Sequence, residues 1–215
     1  VNSVAVIDYG MGNLHSVAKA LACVSGNARI EVTHDPERIL AADRVVLPGV
    51  GAIRDCVAEL KRLEMDKLIH EVAKSKPLLG VCVGMQVLMD FSEENDGTEC
   101  LGVLPGRVGY FGDDLKDAIS GERLKVPHMG WNQVHQTCDH PLWEEIEQDS
   151  RFYFVHSYYL PRIADDMTAA RTDYGVNFTS AVVKDNVFAV QFHPEKSAKD
   201  GLRLYHNFMQ WNGES

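Results

Sequence analysis

Short apolar runs and amphipathic stretches alternate four times in the first ninety or so residues. That alternation points to a parallel sheet wrapped by helices, because parallel strands need crossovers and helices supply them. Val4, Val6 and Ile7 lie in a run from Ser3 to Asp8 that ends at Tyr9-Gly10-Met11-Gly12, and Leu14, Val17, Ala18 and Leu21 follow at helical spacing. Arg29 to Val32 reads as a second strand, and Asp35-Pro36 as the cap and first position of a short helix through Leu40. Arg44 to Leu47 is a third strand, after which Ile53, Val57, Leu60 and Leu63 line one face of a helix. Asp66 to Ser75 is again helical, and Leu78-Leu79 begins the fourth strand.

Three of the connecting loops carry chemistry or its imitation. Gly80-Val81-Cys82-Val83-Gly84-Met85-Gln86 falls where a buried strand gives way to the helix-like Val87-Leu88-Met89. Glycines two residues to either side of Cys82 permit a sharp turn, the steric logic of a Gly-x-Ser-x-Gly nucleophile elbow with sulfur in place of oxygen. A thiol over a helix N-terminus is biased toward thiolate; the competing reading is a small buried core residue. Pro48-Gly49-Val50-Gly51 ends a strand on the same carboxyl edge, where its amides can hold an oxyanion or simply form a tight turn. Gly10-x-Gly12 suggests a dinucleotide loop, but His15 replaces the third glycine of that fingerprint, and turn chemistry accounts for the pair.

The second half is richer in strands. Ser92 to Gly121 is acidic and glycine-rich, mostly loop, with short strands expected at Leu101 to Leu104 and Val108 to Phe111. Pro127-His128-Met129-Gly130-Trp131-Asn132 is a poor helix or central strand, and Trp131 is either presented to a partner or buried as core filler. Phe152 to Val155 is a strand running into His156-Ser157-Tyr158-Tyr159, polar groups suited to line a pocket. Further strands are expected at Thr168 to Thr172, Ala181 to Lys184 and Val187 to Gln191, with Asp185-Asn186 as a hairpin turn. His193-Pro194-Glu195 follows directly, ahead of a closing helix with Leu202, Leu204, Tyr205, Phe208 and Met209. An imidazole and a carboxylate two residues apart can point one way, Glu195 fixing the tautomer in which His193 accepts a thiol proton; a histidine paired with a charge at the surface is the alternative.

A formal charge of -10, with no run of Lys and Arg, argues against a nucleic-acid surface. No signal peptide or bilayer-length apolar run is visible, so a cytoplasmic location is expected and a membrane is not. The five cysteines are scattered, with no Cys-x-x-Cys pair, which speaks against a disulfide framework and a metal knuckle. No linker or repeat interrupts residues 1–215, which read as one domain.

Gly80-x-Cys82-x-Gly84-x-Gln86, followed by His193-Pro194-Glu195, resembles the class I glutamine amidotransferases. Further segments are similar to one branch of that family: Asp8-Tyr9-Gly10-Met11-Gly12-Asn13-Leu14, Leu47-Pro48-Gly49-Val50-Gly51, Pro127-His128-Met129-Gly130-Trp131-Asn132 and Tyr153-Phe154-Val155-His156-Ser157-Tyr158. The resemblance implies a flavodoxin-like, doubly wound, mostly parallel α/β sheet flanked by helices, with extra antiparallel strands in the second half. It implies hydrolysis of L-glutamine by a Cys82, His193, Glu195 triad, without metal or other cofactor. The Val83 amide and one from Gly49, Val50 or Gly51 would form the oxyanion hole, and Gln86, Glu94, Ser157 and Tyr158 would hold the glutamine head group. The ammonia would pass to a separate (β/α)8-barrel cyclase subunit, forming a heterodimer, for the synthesis of imidazole glycerol phosphate and an aminoimidazole carboxamide ribotide in histidine biosynthesis. Trp131, Tyr153 and Lys196 match positions expected near that interface.

Overall fold

The structure, a computed structural model, describes residues 2–214. The expected strand and helix units of the first half are present: β1 (Ser3–Ile7), α1 (Leu14–Val24), β2 (Arg29–Thr33), α2 (Pro36–Ala41), β3 (Arg44–Gly49), α3 (Ile53–Arg62), α4 (Met65–Ser75), β4 (Leu78–Cys82) and α5 (Val83–Val87). Asp35 caps α2 as its sequence implies, its side chain accepting from the Glu37 amide at 2.9 Å with Pro36 at the first helical position. The chain continues through β5 (Phe91–Ser92), β6 (Thr98–Glu99), β7 (Arg107–Tyr110), β8 (His128–Gln133), β9 (His135–Gln136), β10 (Arg151–His156), β11 (Tyr158–Tyr159), β12 (Thr168–Tyr174), β13 (Val176–Lys184) and β14 (Val187–Val190), and closes with α6 (Ala198–Gln210).

Eight strands form the main sheet in the order β2-β1-β3-β4-β14-β13-β12-β9. The pairings from β2 through β14 are all parallel, and those from β14 to β9 are antiparallel. The parallel part therefore has the doubly wound order in which a ligand crevice opens at the carboxyl ends of the strands. β4 lies between β3 and β14 with all five residues buried, which is why its sequence is an uninterrupted apolar run rather than an alternating one. The Asp185-Asn186 turn joins β13 to β14 as expected, with Asp185 at φ 50°.

One expected strand is absent for a physical reason. Leu101 to Leu104 is not a strand: the amides of Leu101, Gly102, Val103 and Leu104 donate to carbonyls of Val87, Leu88 and Met89, so this segment caps the end of α5. Leu88 and Met89 themselves fall in the turn that ends that short helix. The segment around Trp131, read as a poor helix or central strand, is neither: it contains β8, half of a two-stranded antiparallel ribbon with β10, where Gly130 at φ 137° is tolerated. A four-stranded sheet, β11-β7-β5-β6, completes the second half.

Candidate active site

Cys82 ends β4 in a conformation that L-residues rarely adopt, φ 55° and ψ −114°. The strain lies on the cysteine itself, and the flanking glycines serve close packing. A Cβ on Gly84 would lie 2.0 Å from the Leu47 carbonyl oxygen, and one on Gly49 would lie 2.6 Å from the Gly84 amide nitrogen. The turn after Cys82 is thus pressed against the end of β3, bringing Pro48-Gly49-Val50-Gly51 beside the sulfur. Two buried side chains brace that loop: the Tyr9 hydroxyl donates to the Pro48 carbonyl at 2.7 Å, and the Cys56 thiol donates to the Val50 carbonyl at 3.4 Å. Burial pushes the Cys56 thiol up to about 11 and the Tyr9 hydroxyl well above its usual range, which keeps both protonated as donors.

His193 arrives from the strand adjacent to β4, just beyond the end of β14. Its Nδ1 donates to Glu195 Oε1 at 2.8 Å, both side chains being almost fully buried, and the Tyr205 hydroxyl from α6 approaches Glu195 Oε2 at 3.5 Å. Nε2 is thereby left to face the sulfur. Burial alone would lower the His193 pKa; the Cys82 sulfur and then Glu195 outweigh it and push the value up to about 10. Nε2 makes no hydrogen bond of good geometry among the described residues, so the sulfur acts on the ring from close by without a fully formed bond. A negative charge on Cys82 favours the imidazolium, the relationship required of a thiol and its base.

These groups open on one cavity of about 380 Å³. Cys82, Val83, Val50, Gly51, Gln86 and His193 line it on the sheet side, and Glu94, Ser157, Tyr158 and Lys196 enclose it. Gly49 lies beneath, buried at the end of β3. Glu94 occupies a short 3-10 turn and accepts from the Ile53 amide at the start of α3 at 3.4 Å; burial raises its pKa. Trp131, 49% exposed and so not core filler, pairs across the ribbon with Tyr153 at a ring separation of 6.1 Å. Lys196 Nζ lies 5.9 Å from the centre of the Tyr153 ring. The surface group therefore adjoins the cavity, with Lys196 belonging to both. Among the described residues no cluster of three or more His, Cys, Asp or Glu side chains is placed to hold a metal ion.

The family model for glutamine amidotransferase class-I matches residues 5–211. The chain belongs to the class-I glutamine amidotransferases. It is 59% identical, over the whole of both chains, to the imidazole glycerol phosphate synthase subunit HisH of Nitrosococcus oceani, and 57% identical to that of Pseudomonas putida over 99% of each. The fold is similar to that in the structure of PurLQS from Thermotoga maritima, with a TM-score of 0.71 at 19% identity over 97% of this chain and 98% of the other. For an amidotransferase, the cavity offers a strained thiol, an imidazole oriented by a carboxylate, and backbone amides beside them.

Around the cavity stand further groups that sequence reasoning did not single out. Gln191, fully buried, accepts at Oε1 from Gln86 Nε2 at 2.8 Å, and its own Nε2 lies 3.9 Å from Cys82 Sγ. A polar residue closing an apolar strand two positions before His193 was the available signal. Tyr9 and Cys56 gave none, since each reads as an ordinary core residue until its partner carbonyl is known.

Proposed function

We propose that the chain is the glutaminase subunit of an imidazole glycerol phosphate synthase. It hydrolyses L-glutamine to L-glutamate and ammonia and passes the ammonia to a (β/α)8-barrel cyclase subunit, which makes imidazole glycerol phosphate and an aminoimidazole carboxamide ribotide in histidine biosynthesis. The observation that carries this reading is the convergence of strained Cys82 and the buried His193–Glu195 pair on one cavity. End-to-end similarity to subunits of that synthase supports the choice of acceptor. The chain works as one amidotransferase domain, in a cytoplasmic heterodimer.

The chemistry follows from the groups present. Cys82 Sγ, its proton given over to His193 Nε2, attacks the side-chain amide carbon of glutamine and leaves a tetrahedral oxyanion. The Val83 amide and one amide from Gly49, Val50 or Gly51 stabilise that oxygen, each contributing about 3 kcal/mol. Collapse breaks the C–N bond, and the imidazolium returns the proton to the departing ammonia. A water then attacks the thioester, giving a proton to Nε2, and the sulfur leaves as glutamate forms. Glu195 holds the imidazolium throughout, itself oriented by Tyr205. Gln86, Glu94 and the Ser157–Tyr158 main chain receive the glutamine head group, the Glu94 carboxylate suiting its ammonium.

The acceptor-loaded cyclase docks over Trp131, Tyr153 and Lys196 and completes the oxyanion hole by turning a peptide in the Pro48 to Gly51 loop. Glutamate release is measured for the chain alone and with cyclase and its ligand. Strong stimulation is expected, and full activity from the isolated chain would sink the coupling. Cys82→Ala abolishes glutamine use while sparing ammonia-dependent synthesis by the complex; a variant that still used glutamine would show the nucleophile to be elsewhere.

A further inference from the structure

A line of hydrogen bonds that the chemistry above does not use runs from the β8–β10 ribbon to the cavity, whose wall includes His156. Asn132 Nδ2 lies 3.3 Å from His128 Nε2, His128 Nδ1 lies 2.9 Å from His156 Nε2, and His156 Nδ1 lies 2.7 Å from the Tyr158 carbonyl. The direction of every bond is fixed from both ends. A carbonyl only accepts, so His156 carries its proton on Nδ1 and accepts at Nε2, and His128 must then carry its proton on Nδ1 and accept at Nε2. At the far end the Asn132 amide is already oriented, its oxygen accepting from the Gln133 amide at 2.8 Å and its nitrogen donating to the Asp173 carbonyl at 2.9 Å. Both ends demand the same tautomers.

The rings are also neutral and clamped. Burial holds His128 down at about 4, and burial with the neighbouring imidazoles holds His156 at about 3. His128 stacks between Phe154 and Tyr174, at ring separations of 4.8 and 3.9 Å. At the Tyr158 carbonyl the line meets the cavity: the same oxygen accepts from Gln86 Nε2 at 3.1 Å, and Gln86 passes its other N–H to Gln191. Both N–H groups of Gln86 are thus committed to protein, which leaves its carbonyl oxygen as the polar atom it can offer to a ligand.

We infer that Asn132, His128 and His156 are positioning residues, a one-directional relay that sets the Tyr158 carbonyl and, through it, the orientation in which Gln86 meets glutamine. The relay begins one residue from exposed Trp131, so it also ties the ribbon carrying the proposed docking surface to the substrate wall. The inference rests on the glutaminase reading given above and adds residues to the glutamine site.

The test uses two readouts. In the chain alone, ¹⁵N spectra of labelled histidine should report the Nδ1–H tautomer for both His128 and His156; the Nε2–H form at either would overturn the relay. In the saturated complex with cyclase, His128→Phe keeps the ring stacking but loses the donor. Its KM for glutamine should rise about tenfold with kcat changed less than about threefold and ammonia-dependent synthesis unchanged. His128→Asn can place an amide N–H where Nδ1 stood, and should restore KM to within about twofold. Equal impairment of the Phe and Asn variants, or an unchanged KM in His128→Phe, would overturn the positioning role. Should the His128 variants not fold, Asn132→Asp presents an acceptor to His128 Nε2. Because the Tyr158 end still requires a proton on Nδ1, the ring should take a second proton and become an imidazolium, with both ring nitrogens reporting as protonated in the ¹⁵N spectrum; a neutral Nε2–H ring would overturn the relay. A wild-type complex that does not hydrolyse glutamine would instead refute the functional reading itself, whatever the tautomers.

Discussion

Gly84 lies so close to Leu47 that a methyl group on it would stand 2.0 Å from the Leu47 carbonyl oxygen. The obstacle is main chain at the end of a buried strand, which cannot rotate away as a side chain could. Gly84→Ala should therefore destabilise the protein by roughly 3 kcal/mol or more, the upper end of overpacking costs. Urea denaturation measures this, and a loss under about 1 kcal/mol would mean that the turn after Cys82 has slack.

Tyr9→Phe removes the hydroxyl that anchors the Pro48 carbonyl and leaves a buried acceptor without its donor. A cost of about 1–3 kcal/mol in stability is expected. Because the anchored loop carries the candidate oxyanion amides, kcat for glutamine in the complex should fall while KM changes little. A KM effect without a kcat effect would place the loop in substrate binding instead.

Acid should destabilise the fold before the carboxylates titrate. Burial holds His128 and His140 at about 4, and His156 lies at about 3, against 6.5 for an ordinary imidazole. Between these values the unfolded chain binds more protons than the folded one, so stability must fall as pH drops from about 6.5 toward 4. His193, raised to about 10, runs the other way: its contribution is full below about 6.5 and fades as pH rises toward 10. Denaturation midpoints measured from pH 7 to 4.5 should decline, and a flat profile would show these imidazoles to be hydrated.

Trp131→Ala should leave the fold intact, since the ring is half exposed. If the ribbon is the docking surface, loss of such an anchor weakens the cyclase complex by about 2 kcal/mol, or roughly thirtyfold in Kd. Titration calorimetry against the cyclase reads it directly. An unchanged affinity moves the interface elsewhere.

The parallel half of the fold was legible because its information is local: apolar strands, periodic helices, and glycines whose spacing around Cys82 announces a turn. The same held for His193 and Glu195, two residues apart at a strand end. What escaped notice depends on partners far along the chain. Leu101 to Leu104 has the composition of a strand, but only the nearby end of α5 decides that its amides cap a helix. His128 and His156 touch across twenty-eight positions, and neither is distinguishable from an ordinary buried imidazole until β8 and β10 are paired. Of the ribbon, the strand at Phe152 to Val155 was legible and β8 was not, because Pro127 and Gly130 lower strand propensity, while pairing along six residues of β10 overrides that preference.

β4 and β14 lie side by side, yet everything from Val83 to Asn186 is spelled out between them. Closing that excursion costs chain entropy before any contact between the two strands repays it. Cys82 is set by the local turn after β4, whereas His193 reaches it only when that long connection is closed. Until then, the chain holds Cys82 without its imidazole neighbour.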